Sequence, residues 1–163
     1  MKKMLFVYNP NAGKGVLKPK LSDVVDIFVK ADYEVVIYPT QCYHDALEKV
    51  AKMDDGYDII VCSGGDGTLD EVVTGMMMRP PLRRIPIGYI PAGTTNDFAN
   101  SLKIPKNLLE AAYDAVNGVP FPCDMGKFND GIFVYISAFG LFGYITTEIS
   151  RNPPLVIWKY PSF

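Results

Sequence analysis

The segment Cys62-Ser63-Gly64-Gly65-Asp66-Gly67-Thr68 runs from apolar residues into glycines, an acid and a hydroxyl. That composition suits phosphate chemistry. Glycine lets the backbone approach a phosphate closely, and a helix starting behind it offers free N–H groups at its positive dipole end. Neither common phosphate signature is present. No Gly-Lys-Ser/Thr follows, and Asp70 stands where a dinucleotide fingerprint starting at Gly65 has its last glycine. Two further segments carry related chemistry. In Asn9-Pro10-Asn11-Ala12-Gly13-Lys14-Gly15, amide and ammonium groups that can hold phosphate or ribose oxygens sit among small residues. Pro91-Ala92-Gly93-Thr94-Thr95-Asn96-Asp97 ends in good helix-capping residues. Each segment alone also reads as an ordinary turn, and Thr40 and Asp124 alone pass for a turn residue and a strand start. Three such loops at one sheet edge are harder to attribute to chance. Carboxylates at Asp66 and Asp97 would repel a bare triphosphate, so a hard divalent cation such as Mg²⁺ is expected between them.

The elements that must position these loops alternate along the chain. Continuous apolar runs at residues 4–8, 34–38, 58–62 and 86–90 read as strands. Between them lie helical stripes: Leu21, Val24, Val25 and Phe28; Ala46, Leu47, Val50 and Ala51; Leu69, Val72, Val73 and Met76. A helix is expected over about residues 96–102. Another starts near Pro105, with Leu109, Ala112, Tyr113 and Val116 on one face and Gly118 as its stop. Apolar strands alternating with amphipathic helices imply a Rossmann-like α/β fold, a parallel sheet with helices on both faces. Ligands in such sheets bind at the carboxyl ends of the strands, where all three loops fall. After Pro120-Phe121-Pro122 the pattern changes. Residues 124–128 and 132–139 flank Asn129-Asp130-Gly131, a hairpin signal. The chain therefore divides into an α/β nucleotide-binding domain over residues 1–120 and the beginning of a β-rich domain over 121–163. Residues 140–163 show no clean period.

Bulk properties narrow the function classes. The chain has 163 residues, 48% of them apolar, and a formal net charge of −2. No strongly basic run or face is present, so a nucleic-acid partner is not expected. Three cysteines without a paired or zinc-like spacing suit a reducing, cytoplasmic setting, and a single histidine, His44, argues against a His-rich metal site. No apolar run reaches the roughly 18 residues that span a bilayer. Met76-Met77-Met78-Arg79 is read as helix-end packing rather than lipid contact.

Taken together, Asn9-Pro10-x-x-Gly13, Gly64-Gly65-Asp66-Gly67-Thr68-x-x-Glu71-Val72 and Gly93-Thr94-Thr95-Asn96-Asp97-Phe98-Ala99 resemble the diacylglycerol kinase catalytic domain family over about residues 1–140. The resemblance implies an ATP- and Mg²⁺-dependent lipid kinase. Its N-terminal domain would be like those of NAD kinase and phosphofructokinase, followed by a β-sandwich. It further implies ATP contacts from Asn9, Pro10, Asn11, Ala12, Gly13, Thr40, Gly64, Gly65, Asp66, Gly67, Thr68, Leu69, Asp70, Glu71 and Thr94. Asp66, Asp97 and Asp124 would form the catalytic acidic network that positions Mg²⁺ and phosphates. The implied partner is a lipid, diacylglycerol at family level, reached by transient peripheral contact with a membrane. The family's general base lies further along than this sequence extends, so nucleotide binding is expected of the chain ahead of turnover. NAD kinase, which shares the Gly-Gly-Asp-Gly-Thr motif, is the alternative enzyme. A non-catalytic module, pairing as a homodimer through residues 123–163, is the alternative from another class; Phe133, Tyr135, Ile136 and Phe139 would lack their sandwich partners.

Overall fold

In a computed structural model of the chain, residues 1–128, 131–133 and 148–159 are described, with side chains through Phe121–Cys123 apart from Pro120. Strand β1 (Lys2–Tyr8) is followed by helix α1 (Leu21–Lys30), β2 (Tyr33–Pro39), α2 (Asp45–Ala51) and β3 (Ile59–Gly64). Helix α3 (Asp66–Met78), β4 (Ile87–Pro91), α4 (Asp97–Ser101) and α5 (Leu108–Asn117) complete the alternating part. The first four strands lie parallel in the order β2-β1-β3-β4. The α/β architecture expected from the sequence is therefore present.

Strand order follows from the right-handedness of βαβ crossovers. The chain leaves β1 in one direction to reach β2, then crosses back over β1 to β3 and on to β4. Right-handed connections moving in opposite directions put α1 on one face and α2 and α3 on the other. Phe28 of α1 packs edge-on against Phe6 of β1, with ring centroids 5.2 Å apart. On that same face, a side chain at Gly88 of β4 would meet Ala115 of α5. On the opposite face Gly75 of α3 lies against Leu47 and Val50 of α2. Covered on both sides, β3 and β4 are buried at every residue. That double burial is why they read as continuous apolar runs rather than alternating ones.

Three details differ from the sequence reading. Helix α5 begins at Leu108, because the Asn107 side chain accepts hydrogen bonds from the N–H groups of Leu109 and Glu110 and sets the cap beyond Pro105. Its buried face is Ala111, Ala112, Ala115 and Val116, while Tyr113 is exposed. Small alanines let α5 sit close on the sheet, which leaves no room for a tyrosine on that side. In addition, β3 runs two residues further than expected, so that Gly64 pairs with Pro91 of β4.

Beyond α5, β5 (Val119–Phe128) and β6 (Gly131–Phe133) pair antiparallel, as the Asn129-Asp130-Gly131 signal suggested. A further strand, β7 (Glu148–Lys159), falls where the sequence shows no clean period and lies between β4 and β5, parallel to the first and antiparallel to the second. Its Pro153-Pro154 pair falls where the β5–β7 register breaks, between Cys123 and Met125, a position where missing N–H donors cost no ladder bonds. The expected hairpin residues Tyr135, Ile136 and Phe139 lie outside the described residues.

Candidate nucleotide-phosphate site

Because the chain departs from β1 in both directions, a crevice opens at the carboxyl ends of β1 and β3. The loops after β1, β3 and β4 surround that crevice. Backbone hydrogen bonds tie them edge to edge. The N–H of Asn9 donates to the carbonyl of Ser63 at 2.9 Å, and that of Ala92 to the carbonyl of Gly64 at 2.8 Å. The N–H of Thr40, after β2, donates to the carbonyl of Tyr8 at 2.9 Å.

Two glycines make this closeness possible. Gly13 has φ of +53°, a left-handed conformation costly for side chains, and a Cβ there would strike the carbonyl oxygen of Ala92. A Cβ on Gly93 would lie 2.5 Å from the Cα of Gly65. The first and second loops thus both bear on the third, and no larger residue fits at either contact.

The acids are placed differently from what their types alone suggest. Asp66 opens α3, and its carboxylate reaches across to α4, accepting from the N–H groups of Asp97 at 3.1 Å and Phe98 at 3.3 Å. It is the cap of α4. Asn96, the expected cap, instead clamps its own loop. Its Oδ1 accepts from the N–H of Gly93 at 2.9 Å, and its Nδ2 donates to the carbonyl of Gly93 at 2.8 Å. The Asn96 backbone is left-handed, with φ of +53°. Asp97 itself is exposed. Asp66 and Asp97 are therefore brought together. Asp124 lies in β5 at the register break, and its side chain is outside the described residues.

No side chain caps α3 at Gly65. The N–H groups of Thr68 and Leu69 donate to the Gly65 carbonyl, while those of Asp66 and Gly67 precede these bonds and are the kind of donors that phosphate oxygens satisfy. Further along, Glu71 turns toward α2, where its carboxylate accepts from the N–H of His44 at 3.0 Å and of Ala46 at 3.2 Å. This cap holds the loop after β2 against α3, a role that no local spacing signals. Asp70 is partly buried. Burial, with a smaller contribution from neighbouring Glu71, pushes its carboxyl above the ordinary carboxylate range. The Leu69 side chain is fully buried, so any ligand contact from Leu69 goes through its backbone. Met76 and Arg79 are buried as well, in line with helix-end packing, whereas Met78 is exposed.

Two hollows flank the loops. One of about 260 Å³ has Asn9, Asn11, Thr40, Thr68 and Glu71 in its lining, with Gln41, Cys42 and Tyr43 at its rim. The other, of about 460 Å³, lies beyond Gly93 and includes Gly13, Lys14, Thr94 and Lys106. Most of the residues read from the sequence as nucleotide contacts therefore meet around one crevice. Among the described residues there is no cluster of three or more acids, histidines or cysteines able to cage a metal ion. With one exposed carboxylate at Asp97 and phosphate-suited donors at α3, the residues fit a Mg²⁺ held jointly with nucleotide phosphates better than one caged by protein alone. Among the described residues, no helix is long and apolar enough to cross a membrane.

The comparisons with known proteins agree on one family. Over 152 residues the chain is 39% identical to a diacylglycerol kinase of Bacillus subtilis (strain 168), covering 91% of this chain and 49% of that protein. It is 37% identical over 154 residues to a diacylglycerol kinase of Staphylococcus aureus (strain JH9), covering 94% and 47%. The chain thus spans about half the length of the curated relatives it matches. A crystal structure of a diacylglycerol kinase from Bacillus anthracis str. Sterne superposes with a TM-score of 0.71 at 32% identity, over 81% of this chain and 45% of that one. The profile of the diacylglycerol kinase catalytic domain matches residues 3–128, which contain all three loops. By that match, the chain belongs to the diacylglycerol kinase catalytic domain family.

Proposed function

We propose that this chain is the ATP-binding part of a lipid kinase that transfers the γ-phosphate of ATP to a lipid hydroxyl, diacylglycerol being the substrate class. The observation that carries the reading is the contact of the three loops at the β1–β3 crevice, with an uncapped helix N-terminus behind Gly65. The diacylglycerol kinases it resembles supply the substrate class. Residues 1–120 bind the nucleotide, and residues 121–163 begin a β-rich part.

The roles divide by position. Backbone donors at Gly65 to Gly67 and the polar groups of Asn9, Asn11, Thr68 and Thr94 hold phosphate and ribose oxygens. Asp97, an exposed carboxylate, would hold Mg²⁺ together with the phosphates, the ion would supply neutralisation of phosphate charge, and Asp66 fixes the Asp97 backbone by capping α4. The reaction forms a bond from the lipid oxygen to the γ-phosphorus and breaks the bond to the β,γ-bridging oxygen, releasing ADP. The hydroxyl proton passes to a base supplied from outside the described residues. Phosphoryl transfer of this kind depends chiefly on positioning and charge neutralisation, which suits loops locked together by backbone contacts.

Radiolabelled γ-phosphate transfer by the full-length protein, with diacylglycerol in mixed micelles and with NAD as competing acceptor, tests the reading. Label in the lipid fraction is expected. Label in the NAD fraction would replace it with NAD kinase. Absence of label in both, together with a doubled mass in light scattering, would favour a non-catalytic module pairing through residues 123–163.

A further inference from the structure

The hollow between Thr40 and Glu71 carries a feature that the phosphate loops do not need. Tyr43 stands at its rim with 80% of its surface exposed. An exposed tyrosine on a mobile loop would mean little, but this loop is pinned along its length. Its start is tied by the bond from Thr40 to Tyr8. In its middle, the Asp45 carboxylate accepts from the N–H of Gln41 and from the Tyr38 hydroxyl, both at 2.7 Å. At its end, Glu71 accepts from the N–H of His44. The His44 backbone is forced to φ of +64°, and its ring lies 3.9 Å from the Tyr43 ring, backing it. A large aromatic ring thus stands in water beside a polar hollow, on a loop tied at its start, middle and end.

Size and lining narrow the occupant. At about 260 Å³ the hollow falls below the roughly 300–1,000 Å³ of a site that encloses a whole drug-sized ligand. It suits one planar ring system. Its lining is mostly polar, which disfavours an acyl chain. Thr68 and Glu71 belong to α3, so the hollow adjoins the helix whose N-terminus faces the phosphates.

We propose that Tyr43 is the stacking platform for the nucleobase, and that base affinity in this protein comes from aromatic stacking on this ring. The inference rests on the nucleotide reading and adds a specificity-determining residue to it. Stacking area favours purines over pyrimidines.

Calorimetry of the wild type, Tyr43→Phe and Tyr43→Ala, titrated with MgATP, MgCTP and magnesium tripolyphosphate, tests it. Base–aromatic stacking contributes about 1–3 kcal/mol by alanine substitution. Tyr43→Ala should therefore weaken MgATP about 5- to 150-fold. Tyr43→Phe should bind MgATP like the wild type, and all three proteins should bind tripolyphosphate alike. The wild type should prefer MgATP to MgCTP, and Tyr43→Ala should lose most of that preference. Unchanged MgATP affinity in Tyr43→Ala, or an equal loss for tripolyphosphate, would overturn the platform while leaving the nucleotide reading intact. A folded wild type that binds neither MgATP nor tripolyphosphate would overturn both.

Discussion

Replacing Gly93 by alanine should damage the crevice out of proportion to the one methyl group added. The new Cβ would lie 2.5 Å from the Cα of Gly65 and 2.8 Å from the Oδ1 of Asn96. Carbon atoms rest at about 3.5–4.0 Å, so the β3 and β4 loops must part by roughly 1 Å. Neither neighbour yields easily. Gly65 is backbone at the start of α3, and Asn96 is engaged with Gly93 through both ends of its amide. Overpacking of this kind costs about 1–3 kcal/mol of stability. A displacement of about 1 Å in a positioned site can cost on the order of 100-fold in function. Gly67→Ala is the matched control, because a Cβ at Gly67 in the first turn of α3 meets nothing within 4 Å. That variant should hold its stability or gain up to about 1 kcal/mol from helix propensity. Urea denaturation of both variants and MgATP calorimetry of Gly93→Ala make the comparison. Wild-type stability and affinity in Gly93→Ala would refute the close-contact reasoning, as would equal destabilisation by Gly67→Ala.

Three other perturbations probe the supports of the site. Glu71→Ala removes the acceptor for His44 and Ala46, and should cost about 1 kcal/mol, as lost helix caps do, with faster amide exchange at those two residues. Asp70 binds its proton more tightly when folded, through burial first and Glu71 second. The folded state then holds more protons than the unfolded state between the ordinary value of 3.8 and the raised one, so stability falls as pH rises through that window. Asp70→Asn should therefore be more stable than the wild type at pH 7 and lose that advantage below the ordinary value, as read by thermal denaturation across pH. Arg79 is buried at the far end of α3, donating to the carbonyl of Met53 at 2.6 Å and pairing with Asp55 at 2.7 Å. Arg79→Met should cost about 1–3 kcal/mol, chiefly by leaving the buried Met53 carbonyl without its donor, yet leave MgATP affinity per folded molecule unchanged.

How much of this was legible depended on whether the cause was local. Strands β1, β3 and β4 declared themselves because burial on both faces makes their central residues apolar. The phosphate loops showed in their glycines, since Gly13 and Gly93 answer to steric demands that leave no other choice. The acids were legible in type but not in role. Nothing near Asp66 says that it caps a helix 31 residues away, and Glu71 likewise serves α2 from α3. Asn96 looked like a cap because asparagine usually is one, whereas its amide is taken by Gly93. Strand β7 left no pattern because its two prolines fall in a register break, and its partners β4 and β5 are both distant in sequence. Tyr113 misled for a similar reason: the period was right, but the closeness of α5 to Gly88 selects alanine for the inner face.

The most direct test of the central claim is calorimetry of this chain with MgATP, with folding verified by circular dichroism in the same sample. Single-site binding that excess magnesium tripolyphosphate competes away is expected, because the proposal assigns the phosphates to the three loops. A folded chain that gives no binding heat with MgATP at any temperature tried would contradict the account.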